Sequence, residues 1–169
     1  SQQGCAPLAL RAATLPLCPI EYTLPIASAQ VKSCLLLAAL SSAGPSTLVE
    51  PGPSRDHTER MLRAMGVEVS NLPLDGGRWS TRLAPPRPLA LSPLQIRLPG
   101  DISAAAFLIV AALITPGSQV TLRQVGLNPT RTGLLDTLWE MGAEIRLENL
   151  TEQAGEPVGD LTICHSPLH

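Results

Sequence analysis

Runs of apolar residues with helical spacing alternate with short apolar stretches along this chain, and both are closed by glycine or proline. The first helical run extends from Ser28 to Ala43, with Ser28 placed to cap it and Gly44 to end it. Its middle, Cys34 to Leu40, has no polar face, which predicts a helix buried on all sides. A strand is predicted at Thr47 to Glu50. A second helix starts near Asp56 and stops at Gly66. Asp56-His57-Thr58-Glu59 has the form of a capping box, Glu59 and Arg63 are spaced to pair on the wet face, and Met61, Leu62 and Met65 form the apolar stripe. Val67 to Ser70 alternates as a strand, and Asp75-Gly76-Gly77 is a hairpin turn leading into Trp79 to Arg82.

The same order then returns. Leu36-Leu37-Ala38-Ala39-Leu40 is matched by Ile109-Val110-Ala111-Ala112-Leu113, Gly44 by Gly117, Ser54-Arg55 by Thr130-Arg131, and Met65-Gly66 by Met141-Gly142. A shared order of this kind marks two copies of one supersecondary unit. In the second copy, Asp101 or Ser103 caps an apolar helix whose body is Ala104 to Ile114, and Val120 to Leu122 is a strand. Asn128-Pro129 places a cap residue before a proline at the first helical position. That helix runs to Met141 and is stopped by Gly142, with strands at Ala143 to Leu147 and Leu161 to Cys164. The fold class is α/β (α+β), with the order β-α-β-α-β-β in each unit. Ala84 to Pro93 carries Pro85, Pro86, Pro88 and Pro93 and marks the crossover, dividing the chain into residues 1–92 and 93–169. One unit cannot wrap its fully apolar helix alone, so either the two units bury each other's helices or further partners do.

Composition narrows the function classes. The chain has 169 residues, is 44% hydrophobic and only 15% charged, and is nearly free of aromatic side chains, so Leu, Ala, Val and Ile must build its core. Its net charge of -2 lacks the basic footprint of a nucleic-acid binder and offers no polybasic membrane patch. The eleven-residue run Ala104 to Ile114 is too short to span a bilayer, and no signal peptide is expected. Spacing alone does not exclude disulfides among Cys5, Cys18, Cys34 and Cys164. They read as free thiols of a reducing, cytoplasmic chain, and no histidine stands near them at metal spacing.

Candidate chemistry lies in two loops. Ser28-Ala29-Gln30 opens a helix whose free N–H groups and dipole favour an anion or a polyhydroxy ligand; the plainer reading is an N-cap and a polar first turn. Arg55 offers a fork of donors for phosphate or carboxylate; the plainer reading is a solvated charge or an ion pair with Asp56 or Glu59. Arg131 is its mate in the second copy. His57 reads as a cap-region histidine, and His165 and His169 are assigned no role. No GxSxG, HExxH, Walker or GxGxxG motif occurs. The residues by themselves reach a repeated α/β unit with an anion site at the Ser28 and Arg55 loops.

Four longer segments carry a resemblance. They are Leu24-Pro25-Ile26-Ala27-Ser28-Ala29-Gln30-Val31-Lys32-Ser33, Ser54-Arg55-Asp56-His57-Thr58-Glu59-Arg60-Met61-Leu62, Pro99-Gly100-Asp101-Ile102-Ser103-Ala104-Ala105-Ala106-Phe107 and Asn128-Pro129-Thr130-Arg131-Thr132-Gly133. In this order they resemble 5-enolpyruvylshikimate-3-phosphate synthase (3-phosphoshikimate 1-carboxyvinyltransferase), closest to its glyphosate-tolerant bacterial class. The resemblance covers the chain from Gly4 to about Ile163. It implies two lobes of βαβαββ units with inner helices buried together, and a crossover near Leu91 to Leu98, so that this chain holds one unit from each lobe. It also implies transfer of the enolpyruvyl group of phosphoenolpyruvate to the 5-hydroxyl of shikimate 3-phosphate, through a tetrahedral intermediate that loses phosphate. No cofactor and no metal are implied. Matched to the family, Ser28, Ala29 (by its backbone) and Gln30 bind shikimate 3-phosphate, with Gln30 also near phosphoenolpyruvate, and Arg55 holds the shikimate phosphate or its neighbourhood.

The family's GDKSxxxR segment, Gly-rich phosphoenolpyruvate loop, Asp base, KExxR segment and late Arg and Lys clamps have no match here. The resemblance therefore implies an internal portion of the enzyme, with no catalytic residue assigned, inactive alone, and open to self-association or complementation by other segments. Two alternatives share the fold: the sister enzyme acting on UDP-N-acetylglucosamine, and a non-catalytic anion-binding module.

Overall fold

β1 (Glu21–Thr23) runs parallel to β2 (Ser46–Glu50), and α1 (Ala29–Ala39) connects them. This computed structural model describes Ala9 and residues 11–169. α2 (His57–Ala64) leads from β2 to the hairpin of β3 (Glu68–Pro73) and β4 (Trp79–Ala84), whose turn at Asp75–Gly77 places Gly76 and Gly77 at positive φ. β4 enters between β2 and β3, so the sheet order is β1-β2-β4-β3. The second half repeats the plan with α3 (Ile102–Ile114), β5 (Gln119–Gly126), α4 (Gly133–Glu140), β6 (Ile145–Gln153) and β7 (Glu156–Cys164), in a three-stranded antiparallel sheet of order β5-β7-β6. Its leading strand is reduced to one parallel bridge, Gly100 to Val125. Each sheet carries its own core. Leu24, Leu36, Leu48, Leu62 and Leu83 fill the first, and Ile109, Leu113, Leu135, Leu161 and Ile163 fill the second.

The elements appear in the order the pattern predicts, with local differences. α1 ends at Ala39 rather than Ala43, because the next residues bridge to the chain before β1: Leu17 N–H donates to Ser41 O, and Ala43 N–H donates to Leu17 O. The capping box does not form. Asp56 makes no side-chain cap bond and instead accepts from Arg60 Nε at 2.9 Å. Nor do Glu59 and Arg63 pair: Glu59 is fully buried against Lys32, while Arg63 reaches back to Val69 O at 2.8 Å. Asn128 does not cap α4, which starts five residues later. It is buried, and its Oδ1 closes a local turn by accepting from Thr130 N–H and Oγ1. In the apolar stripe of α2, Leu62 is buried but Met61 is exposed to 39%.

The largest difference concerns the two apolar helices, since neither is buried all round. α1 buries Lys32, Leu36 and Ala39 and exposes Leu37; α3 buries Ile102, Ile109, Ala112 and Leu113 and leaves Phe107 79% exposed. A single sheet covers one face of a helix and no more, and the two units do not cover each other's second face. No helix among the described residues is long and apolar enough to cross a membrane. Cys18, Cys34 and Cys164 are unpaired, and Cys5 lies outside the described residues.

Candidate functional site

α1 begins where the chain leaves β1, and its N-cap Ser28 has extended backbone and accepts from Val31 N–H at 3.4 Å. The Ser28 hydroxyl also donates to Gln30 Oε1 at 3.5 Å. Both bonds are long and solvent-reached, so a ligand can compete for both side chains. The loop after β2, Pro51-Gly52-Pro53-Ser54-Arg55, returns to the same end of the sheet, as a parallel β-α-β unit requires, and two prolines stiffen it.

Ser28, Ala29, Gln30 and Arg55 all line one open cleft of about 900 Å³. The structure thus brings together the residues that the sequence places in separate loops. The first turn of α1 supplies N–H groups and the positive end of the helix dipole. Arg55 is half-buried and makes no salt bridge among the described residues, so its guanidinium is available to an anion. The ion pairs weighed for it from sequence are taken elsewhere, Asp56 by Arg60 and Glu59 by Lys32.

The cleft has a second wall that sequence reasoning did not assign. Ser103, Thr130 and Arg131 come from the other unit. Arg131 lies 3.2 Å from Asp101 Oδ1 and also donates to the Ser103 hydroxyl. The Ser103 N–H bond to Asp101, followed by the charge of Arg131, holds the Asp101 carboxyl below its usual range. The internal repeat was a signal for this wall: Arg131 occupies in the second copy the position that Arg55 occupies in the first.

Behind the cleft the two units are joined by polar contacts. His57 Nδ1 lies 2.7 Å from Glu156 Oε1, and Asn128 Nδ2 donates to both Asp56 Oδ1 at 2.8 Å and Glu156 Oε2 at 2.9 Å. Arg60 donates to Gly155 O at 2.6 Å. Burial alone pushes the Asp56 carboxyl up, but hydrogen bonds from Arg60 and Asn128 outweigh it and hold the group below its ordinary value. His57, read from sequence as a cap-region histidine, is the first residue of α2 and also part of this junction. A mostly apolar cavity of about 370 Å³ lies beside the junction, and none of the four predicted binding residues lines it. Among the described residues no group of three His, Cys, Asp or Glu side chains is arranged to hold a metal ion.

The sequence profile of one family, EPSP synthase (3-phosphoshikimate 1-carboxyvinyltransferase), matches residues 1–166. The chain belongs to that family. The 3-phosphoshikimate 1-carboxyvinyltransferase of Gluconobacter oxydans is 50% identical over 165 residues, covering 98% of this chain and 37% of the relative. The protein of the same name from Magnetococcus marinus is 52% identical over 163 residues, covering 96% of this chain and 35% of the relative. The solved structure of EPSP synthase from Acinetobacter baumannii superposes with a TM-score of 0.77 at 47% identity, over 89% of this chain and 32% of that one. The chain therefore spans about a third of the length of these EPSP synthases, and within that third its mixed α/β fold is theirs.

Proposed function

We propose that this chain forms one part of the shikimate 3-phosphate site of a 3-phosphoshikimate 1-carboxyvinyltransferase. The observation that carries the reading is the convergence of Ser28, Ala29, Gln30 and Arg55 on one cleft, at the N-terminus of a helix. Shikimate 3-phosphate is a hydroxylated ring bearing a carboxylate and a phosphate. Arg55 suits an anionic group, the first turn of α1 offers backbone N–H donors, and Ser28 and Gln30 suit ring hydroxyls. In the reaction the 5-hydroxyl oxygen gives up its proton to a base and adds to C2 of phosphoenolpyruvate, while C3 gains a proton from an acid. Loss of the C3 proton and of phosphate from the resulting tetrahedral intermediate restores the enolpyruvyl double bond. The residues of this chain bind and orient in that scheme; proton transfer and the remaining charge clamps fall to the other two thirds of the enzyme.

The reading also divides the chain at residues 92 and 93 into one unit from each of two lobes. The proline-rich crossover and the separate sheets support that division. The exposed apolar faces of α1 and α3 are then covered by other segments of the enzyme or by a second copy. The unpaired thiols accord with a cytoplasmic setting. The relatives carry the shikimate name, which favours this substrate over UDP-N-acetylglucosamine.

Titration of the chain with shikimate 3-phosphate, followed by amide NMR, tests the proposal. Shifts are expected at Ser28 to Lys32 and at Ser54 to Asp56. Arg55→Ala is expected to weaken binding about tenfold or more, because a hydrogen bond to a charged group contributes roughly 1.5–3 kcal/mol. Unchanged affinity in that variant removes Arg55 from the site.

A further inference from the structure

A charged cluster lies in the interior beside the residues that line the cleft. Lys32, two residues beyond Gln30 on α1, is 1% exposed, with Nζ 2.9 Å from Glu50 Oε2 and 2.8 Å from Glu59 Oε1. Glu50 is the last residue of β2, Glu59 sits in α2, and both are fully buried. The cluster reaches one further residue, in the loop between those two elements. Ser54 Oγ donates to Glu50 Oε1 at 2.6 Å, and Lys32 Nζ donates to Ser54 O at 3.5 Å. The residue immediately before Arg55 is thus held by both its side chain and its backbone. A hydroxyl pair at 2.7 Å, Ser33 with Thr58, ties α1 to α2 alongside.

Stability does not account for this arrangement. Taking three charges out of water is costly, and a well-packed apolar trio of similar volume joins three elements as firmly or more so. Here one ammonium faces two carboxylates at ion-pair distance, and neither Glu50 Oε2 nor either oxygen of Glu59 accepts a well-aligned hydrogen bond among the described residues. What apolar packing cannot do is seize one residue of a loop by directed bonds.

We propose that the Lys32–Glu50–Glu59 cluster, acting through Ser54, is the positioning device of the anion site. It holds the Gly52–Asp56 loop against the first turns of α1, so that Arg55 faces the same cleft as Ser28 and Gln30 before a ligand arrives. Lys32, Glu50 and Ser54 are positioning residues, because they act through Arg55. Such preorganisation spares the ligand the entropy of ordering a loop and a long side chain. The proposal rests on the reading that this cleft takes shikimate 3-phosphate.

The test uses the whole chain and three variants. Ser54→Ala removes the hydroxyl and leaves the ion pairs. Ser54→Thr keeps the hydroxyl. The triple variant Lys32→Met, Glu50→Leu, Glu59→Leu keeps the packing and removes the directed bonds. For each, the ¹⁵N order parameters of the Arg55 and Asp56 amides, the melting temperature and the affinity for shikimate 3-phosphate are measured. In Ser54→Ala the order parameters are expected to fall from the rigid range near ~0.85 to below about 0.6. Affinity is expected to drop about tenfold or more, with little change in melting temperature, and Ser54→Thr restores both readings. The triple variant is expected to melt no lower than the parent and yet to show the loosened loop and the weaker binding. Unchanged loop order in both Ser54→Ala and the triple variant overturns the positioning role, even where Arg55→Ala still weakens binding. If the loop loosens as expected but the parent chain does not bind shikimate 3-phosphate, the positioning role stands and the reading that this chain alone binds that ligand falls.

Discussion

Lys32 shows how little a residue's identity says about its surroundings. In sequence it is one more cation at the start of a helix, yet in the fold it is 1% exposed between two buried glutamates. Truncating it strands two carboxylates away from water. Lys32→Ala is therefore expected to destabilise the chain by about 3–5 kcal/mol, measured by urea unfolding. Asp56 makes a pH prediction of the same kind. Its pKa in the fold lies below the ordinary aspartate value of 3.8, because the bonds from Arg60 and Asn128 outweigh the opposing effect of burial. The unfolded chain binds that proton more readily than the folded one. The contribution of Asp56 is therefore complete above about pH 4 and is lost as the pH falls through the depressed folded value. Stability of Asp56→Asn should accordingly fall less than that of the parent when the pH is lowered into that range. Asp160 is held low by the Asn149 side chain and the Gln124 amide, which it ties to β7 at the bulges of β5 and β6.

At the scale of elements, most of the structure is legible in the sequence. Ser28, Asp101, the Asp75-Gly76-Gly77 turn and the glycines after α2 and α4 act within a few residues of themselves, so their effects survive any tertiary context. Gly142 is such a case: it stops α4 at φ 88°, and a Cβ there would lie 2.9 Å from the His169 ring. Gly142→Ala is expected to cost about 1–2 kcal/mol in unfolding free energy, from backbone strain alone. Where local signals failed, a competing partner won. The Asp56 and Glu59 capping box was sound by spacing, but Arg60 and Asn128 claim Asp56 and Lys32 claims Glu59. Asn128 was a credible cap residue until burial between the units gave it Asp56 and Glu156 as acceptors.

For the whole molecule, the exposed side of α3 follows from its packing against one sheet, which covers only one face of the helix. Phe107, Leu108 and Ile114 are 79%, 56% and 63% exposed, an apolar patch of the kind that drives association. Phe107→Asp with Leu108→Asp is expected to shift the chain toward monomer in sedimentation velocity, with little loss of stability because both side chains already face water. Unchanged sedimentation would place any self-association elsewhere. The candidate site has the opposite character, since it draws on both units: Ser28, Gln30 and Arg55 on one wall, Ser103, Thr130 and Arg131 on the other. From sequence the first wall was readable through its motifs. The second was visible only as a repeat mate of the first, without the cleft that makes the symmetry meaningful.

What the sequence determined by itself was the set and order of elements, the repeat, the chain's family likeness and the loop residues fit to meet an anion. All of these rest on interactions within a helical turn, a hairpin or a contiguous motif, where the partners are neighbours along the chain. What only the tertiary structure decided was which charges are buried together, which face of each apolar helix is covered, and that two segments of each unit open on the same cleft. Those outcomes depend on groups 18 to 99 residues apart, such as Lys32 with Glu50 or His57 with Glu156. Burial and close approach, rather than spacing, choose among partners that the sequence leaves equally eligible.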